Sequence, residues 1–228
     1  MTNFQEARLQ DSKLSSGKAS VATMSPVALI AKRTVDILAA LVFFILFGPL
    51  FVAVLIGVKV SMGSPAFFWQ TRLGMNGQRF RFYKFRSMRT NSESILSDYL
   101  QHDDVAREQW ENFQKLENDP RITPLGRIMR RISLDELPQF WNVLKGDMSL
   151  IGPRPALERQ RPLYGDAWEQ YILMRPGITG LWQVSGRNDL SFAQRVELDR
   201  AYVENWSLWL DLKILLKTFS AVLIGDRD

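Results

Sequence analysis

The chain has 228 residues, 46% of them apolar, enough to bury a sizeable core and to form one domain with an anchor. It has no cysteine and one histidine, His102, which excludes disulfides, thiolate nucleophiles, Ser-His-Asp triads and two-histidine metal sites. Chemistry is left to carboxylates, Lys, Arg, Ser, Thr and Tyr, and the net charge of +5 with a pI near 9.6 calls for an anionic partner: nucleic acid, lipid headgroup or phosphorylated small molecule.

Residues 1–26, with QDSKLSSGKAS, read as a flexible tail without chemistry. Residues 27–60 form the membrane element. From Ile37 to Val58 no charge occurs, and the length matches the roughly 20 residues that cross a bilayer as a helix. The segment starts too far from the N-terminus to be a removed secretory signal. At its centre Gly48-Pro49 predicts a kink, because proline lacks a donor and its ring clashes with the carbonyl of Ile45. The segment alone fits a single-pass helix and a re-entrant hairpin equally. Charge favours the hairpin: Lys32 and Arg33 precede it, Lys59 follows, and Arg72, Arg79 and Arg81 lie beyond, so both ends prefer the cytoplasm. Each arm, roughly ten residues, reaches about half the hydrocarbon core, with Asp36 near the interface.

Residues 61–228 read as a cytosolic, membrane-associated domain. AFFWQTRLGMNGQRFRFYKFRSM is predicted to be a β-hairpin turning at Asn76-Gly77, the dipeptide that supplies positive φ. Alternation holds from Arg79 to Phe82 and slips at Tyr83, so a bulge is expected to redirect Lys84 and Arg86. Between Ser61 and Thr90 there are six bases and no acid, whereas Glu93 to Asp119 carries eight acids against Arg107 and Lys115. The acidic piece reads as helical, packing Leu96, Tyr99, Leu100 and Trp110 inward and leaving His102 in solvent. It receives no catalytic role. In NDPRITPLGRIMRR, Leu125, Ile128, Met129 and Ile132 are spaced as on one helix face, and Arg127, Arg130 and Arg131 crowd the other. Near the C-terminus, ENWSLWLDLKILLKTFSAVLIG has a wide apolar face, with Lys213, Lys217 and Ser220 in line and Trp206 and Trp209 alongside. An interfacial membrane helix and a core helix both fit it.

SLDELPQ, Ser133 to Gln139, puts two acids at a helix start. Ser133-x-x-Glu136 matches a capping box that needs no function. Pro138 suits the first turn better if Asp135 is the N-cap. Either way the carboxylates lie where backbone N–H groups face an anion, and Asp135 with Glu136 could hold Mg²⁺ shared with substrate phosphates. In KGDMSLIGPRP, Gly146 is expected to end the helix, and Pro153 and Pro155 hold Arg154 on a rigid turn fitted to fork onto phosphate, a surface salt bridge being the competing reading. RPGITGLWQVSGRN, Arg175 to Asn188, suits a loop over a ligand but matches neither GxGxxG nor a P-loop, and an ordinary glycine-rich turn fits as well.

Taken together, KFRSM, DPRITPLGR, SLDELPQFWNVLKGDMSLIGPRP, RPGITGLWQVSGRN and NWSLWLDLKILLKT resemble the bacterial sugar transferase family, the monotopic phosphoglycosyl transferases that begin exopolysaccharide and O-antigen assembly. The likeness runs in order from about Lys32 to the C-terminus. It implies an α/β, mostly α, fold: a re-entrant membrane helix hairpin plus a small cytosolic catalytic domain with a short β-hairpin and amphipathic interfacial helices. The implied reaction moves a hexose-1-phosphate from a UDP-sugar to undecaprenyl phosphate, with Mg²⁺, at the cytoplasmic face of the bacterial inner membrane. Asp135 would attack the β-phosphate, release UMP and carry a covalent phospho-sugar, with Glu136 as metal ligand or proton handler. Lys84, Arg86, Arg154, Arg175, Gly177, Thr179, Gln183 and Arg187 are the candidate substrate- and phosphate-binding residues. Lys32, Arg33, Gly48 and Pro49 belong to the membrane element. The closest likeness is to short galactose-1-phosphate transferases, without the membrane helices and extra domain of larger relatives; UDP-glucose is the alternative donor and a homodimer is left open. Bases interleaved with aromatics from Arg79 to Arg86 also suit single-stranded nucleic acid, but that reading, like a silent membrane scaffold, leaves the Asp-Glu pair unused, and no nucleic-acid partner is expected.

Overall fold

The computed structural model describes residues 25–113, 116, 118–186 and 190–224. The proposed tail, apart from its last two residues, and Arg187 lie outside them. The described chain is mostly helical with two small two-stranded sheets. It forms two compact units: the chain up to Ile45 with Gln70–Phe82 and everything from Gln139, and Leu46–Trp69 with Tyr83–Pro138.

Helix α1, Pro26–Met62, is the long apolar element, and it is the one helix among the described residues long and apolar enough to cross a membrane. Its helical run continues through Gly48-Pro49, where a kink was expected. Proline costs one backbone bond there, which a long apolar helix tolerates. Ile45, Leu46, Phe47 and Leu50 are exposed around it.

The hairpin forms as read: β1, Phe67–Leu73, pairs with β2, Arg79–Phe85, and the connecting turn has Asn76 at φ 57° and Gly77 at φ 69°. The slip also appears. Phe80 and Phe82 are buried at alternate positions, but the next buried residue is Phe85, with Tyr83 and Lys84 both half-buried between.

In the first unit, α5 (Gln139–Lys145), β3 (Ser149–Ile151) and β4 (Gly177–Thr179) carry the centre. Strands β3 and β4 are parallel, with Ser149 opposite Gly177 and Ile151 opposite Thr179. The backbones approach so closely that a Cβ on Gly177 would lie 2.1 Å from the Gly152 nitrogen, which reserves the position for glycine. Short helices α6 (Arg161–Tyr164) and α7 (Trp168–Tyr171) pack Tyr164, Trp168 and Tyr171 against α8 (Phe192–Glu204). The C-terminal α9, Leu208–Ile224, buries Ile214 and Asp211 but exposes Trp209, Leu212, Leu216 and Phe219. It is thus apolar on both sides, a core helix with a second apolar face open to its surroundings.

The start of α1 is fastened to this unit through buried polar groups. Lys32, 7% exposed, donates to Asp211 Oδ2 at 2.7 Å and to the Ile151 carbonyl at 2.9 Å. Asp211 also accepts from the Tyr202 hydroxyl at 2.6 Å and from Trp206 Nε1 at 3.1 Å. Asp36 takes hydrogen bonds from Ser149 Oγ and the Leu150 amide, and Arg33 donates to the carbonyls of Val143 and Leu144. Lys32, Arg33 and Asp36 therefore bond within the protein, Asp36 among them, which the charge pattern had placed near the membrane interface. Phe43 stacks on Phe140, ring centroids 3.7 Å apart.

In the second unit, Val58, Ala66, Phe85 and Met129 form the core with Phe51 packed against them, and the exposed Phe67 stacks on Phe85. Helix α4, Pro124–Arg131, is capped by Thr123, whose hydroxyl accepts from the Gly126 amide at 3.0 Å. Met129 is buried and Leu125 half-buried, but Ile128 and Ile132 are exposed, so only part of the predicted face meets the core. The acidic segment is helical in two pieces, α2 (Ser92–His102) and α3 (Asp104–Phe113), because Asp103 turns the chain and its carboxylate accepts from the Ala106 amide. Ala106 is buried, Leu96, Tyr99, Leu100 and Trp110 are half-buried, and His102 is exposed.

Candidate active site

Asp135 and Glu136 lie on a short 3-10 turn, Leu134–Glu136, ahead of α5. The expected capping box does not form. Ser133 takes the left-handed conformation, φ 56° and ψ 25°, and its side chain caps nothing. A non-glycine residue with positive φ is uncommon, and such conformations concentrate at functional sites. The consequence is that the acids leave the helix register. Pro138 then falls between the 3-10 turn and the helix, where its missing N–H costs no helical bond.

Asp135 is 6% exposed, and Glu136 is more open. Lys84 Nζ reaches both, at 2.7 Å from Glu136 Oε1 and 3.5 Å from Asp135 Oδ2. Burial pushes the Asp135 carboxyl above the usual carboxylate range, Lys84 and Arg130 pull it back, and the Glu136 charge adds to the rise. Lys84 follows the slip at Tyr83, where the sequence led to the expectation of a redirected side chain. Arg86, its partner in that prediction, goes elsewhere. It is 7% exposed, and its Nη2 donates to the carbonyls of Met62 and Gly63, closing the C-terminal end of α1. Its Nε and Nη1 have no partner among the described residues.

Arg130 is the member of this group that the sequence reading left without a role. Its Nε donates to Ser87 Oγ at 2.9 Å, and its charge is felt by Asp135. The signal was the cluster of arginines just ahead of the acidic pair. The Asp135 and Glu136 oxygens are hard donors next to each other in sequence and side by side at one cation. Magnesium held by one or two carboxylates together with substrate phosphates needs no further protein ligand, so the pair fits it. Among the described residues there is no group of three metal-ligating side chains.

The remaining predicted residues belong to the first unit. Arg154 is exposed on its proline-flanked turn and lies over the Trp182 ring, 4.9 Å from its centroid; Arg195 lies over the same ring at 5.0 Å. Arg72 joins this gathering of cations: burial, and then the Arg154 charge, press it down to about 10. The other candidates are drawn into the fold. Arg175 Nε donates to the Gly146 carbonyl at 2.8 Å, the Thr179 hydroxyl meets that of Thr218 at 2.9 Å, and Gln183 Nε2 reaches the Ile178 carbonyl at 3.3 Å. Gly177 donates its amide to Pro153 at the close approach of β3 and β4.

Comparison with known proteins agrees with the resemblance. The family model described as bacterial sugar transferase matches residues 27–225. The chain is 47% identical over 200 residues to the exopolysaccharide production protein ExoY of Rhizobium meliloti, covering 88% of each. It is 49% identical over 196 residues to the undecaprenyl-phosphate galactose phosphotransferase of Salmonella typhimurium, covering 86% of this chain and 41% of that longer protein. It is 38% identical over 213 residues to a UDP-N-acetylgalactosamine-undecaprenyl-phosphate N-acetylgalactosaminephosphotransferase of Aeromonas hydrophila, covering 88% of this chain and 45% of that one. With the model and these relatives each spanning most of its length, the chain belongs to the bacterial sugar transferase family.

Proposed function

We propose that this chain transfers a hexose-1-phosphate, galactose favoured, from a UDP-sugar to undecaprenyl phosphate and so starts an exopolysaccharide or O-antigen. The observation that carries the reading is the buried Asp135 beside Glu136 at Lys84, just after the left-handed Ser133. The galactose preference rests on the names of relatives.

In this reading an ionised Asp135 oxygen attacks the β-phosphorus of the donor. The bond from that phosphorus to the bridging oxygen breaks, UMP leaves with the electron pair, and an aspartyl phospho-sugar remains. A phosphate oxygen of undecaprenyl phosphate then attacks the same phosphorus, the Asp135–phosphorus bond breaks, and the carboxylate is restored. Lys84 and Arg130 oppose the rise that burial gives Asp135 and place positive charge beside the phosphates, and Arg154 grips a phosphate bidentately. Asp135 and Glu136 would hold Mg²⁺, whose chemistry is to neutralise charge repulsion between carboxylate and phosphate.

The chain would lie on the cytoplasmic face, where α1 enters and leaves the same leaflet. Support comes from Lys32 and Asp36, which precede the apolar segment yet bond Asp211, Ser149 and Leu150, which follow it. A single crossing would put these partners on opposite sides, and no second helix among the described residues is long and apolar enough to bring the chain back.

The test is UMP release from UDP-galactose and UDP-glucose with undecaprenyl phosphate, joined to mass spectrometry of enzyme trapped with donor alone. The expected adduct is a hexose phosphate on Asp135. An adduct on another residue, or turnover with none, overturns the mechanism.

A further inference from the structure

The backbone of the Arg154 turn is tied down at five points. The Pro153 carbonyl accepts from the Gly177 amide at 2.8 Å, and the Arg154 amide donates to Asp199 Oδ1 at 3.3 Å. The Pro155 carbonyl accepts from Arg72 Nη1 at 3.0 Å. The Ala156 amide donates to the Tyr171 hydroxyl at 2.9 Å, and its carbonyl accepts from the Leu73 amide at 2.9 Å. Asp199 stands apart from the other four anchors because it is an acid, 2% exposed, on the face of α8 that also buries Val196, Tyr202 and Val203. Its second oxygen takes the Tyr164 hydroxyl at 3.0 Å. Neither oxygen meets a guanidinium or ammonium nitrogen among the described residues.

Such a carboxylate is expensive: burial pushes it up to about 7, well beyond the ordinary carboxylate range. Packing alone would be served better by leucine. What the acid supplies is an acceptor, rigidly aimed by Tyr164, for the one backbone N–H next to the exposed guanidinium. Tyr164 is itself wedged among Trp168, Tyr171 and Phe192.

We propose that Asp199 is a positioning residue: through its hydrogen bond to the Arg154 amide it sets the direction in which the guanidinium meets the diphosphate of the donor. This rests on the phosphate-gripping role of Arg154 proposed above. Asp199 touches no substrate in this scheme and acts only through Arg154.

The experiment measures the dissociation constant of UDP by calorimetry on the full chain in nanodiscs, for wild type, Arg154→Ala, Asp199→Ala, Asp199→Asn and the Arg154→Ala/Asp199→Ala pair. Arg154→Ala and Asp199→Ala should each weaken UDP at least about tenfold. Asp199→Asn, which keeps an oxygen for the Arg154 amide, should stay within about threefold. The pair should be no weaker than Arg154→Ala alone, because a positioning effect has nothing left to position. If Arg154→Ala leaves UDP binding unchanged, the phosphate role of Arg154 falls and the inference with it. If Arg154→Ala weakens binding but Asp199→Ala does not, or the two losses add, the inference alone falls. Should Asp199→Ala fail to fold, the same cycle is run with Tyr164→Phe, which removes one of the two bonds fixing the carboxylate; additivity there overturns the inference equally.

Discussion

Replacing Lys32 by methionine separates two accounts of the first charged residues of α1. If Lys32 anchors the helix at lipid headgroups, its loss should change membrane partitioning and little else. The structure puts it instead in a buried ion pair with Asp211, the two side chains 9% and 10% exposed. Removing one partner of a buried pair leaves an uncompensated charge and costs about 3–5 kcal/mol. Asp211 keeps Tyr202 and Trp206 as donors, which favours the lower part of that range. For a protein of this size each kcal/mol lowers Tm by about 2–4 °C, so Lys32→Met should fall by about 6–12 °C if it loses 3 kcal/mol. Replacing both residues, Lys32→Met with Asp211→Leu, should restore much of the loss, because the orphaned charge is gone. The assay is thermal unfolding in nanodiscs followed by tryptophan emission, to which Trp206 contributes directly. A Lys32→Met protein that unfolds within 1 °C of wild type, or a double variant no more stable than the single, would refute the reasoning.

Asp135→Asn should abolish the phospho-sugar adduct seen by mass spectrometry and reduce UMP release to background, since an amide is no nucleophile. Gly177→Ala should destabilise by about 1–3 kcal/mol or more in chemical unfolding, because its Cβ would lie 2.1 Å from backbone; unchanged stability with lost activity would return Gly177 to the substrate site. Since the chain has no native cysteine, single cysteines at Val27 and Ser61 can be labelled in membrane vesicles, and both should react from the cytoplasmic side alone. Asp199, facing Tyr164, Tyr171 and Arg154, has a folded-state value raised to about 7 from 3.8. Its contribution to stability is therefore present below about pH 4 and lost as pH rises through about 7. Asp199→Asn should show a smaller fall in Tm between pH 5 and pH 8 than wild type.

Features set by neighbours in sequence were legible. Asn76-Gly77 dictates positive φ locally and marked the hairpin, the spacing from Leu125 to Ile132 marked α4, and the break in alternation at Tyr83 marked where the strand changes register. Gly146, φ 90°, ends α5 as read. What escaped was decided across long separations. Lys32 lies 179 residues from Asp211, and nothing near either one names the other. A charge beside an apolar segment looks the same whether it faces lipid or a buried acid. Ser133 failed as a cap for a different reason: the pattern fits, but the backbone takes a left-handed turn that local preference does not favour, leaving the acids free of the helix. Arg86 was placed in the site by its register and instead closes the end of α1, where unpaired carbonyls compete for it. Asp199 carried a readable sign, an acid on the same helix face as Val196, Tyr202 and Val203, which a search for motifs passes over.

The polar bolts at the start of α1 bear on how the protein can be cut for study. A construction that begins after Met62 in the hope of a soluble enzyme would strip the cation from Asp211 and the acceptor from Ser149 and the Leu150 amide, while Trp209, Leu212, Leu216 and Phe219 would stay bare on α9. The start of α1 is built into the first unit, and a shortened chain that keeps these bonds has to include it.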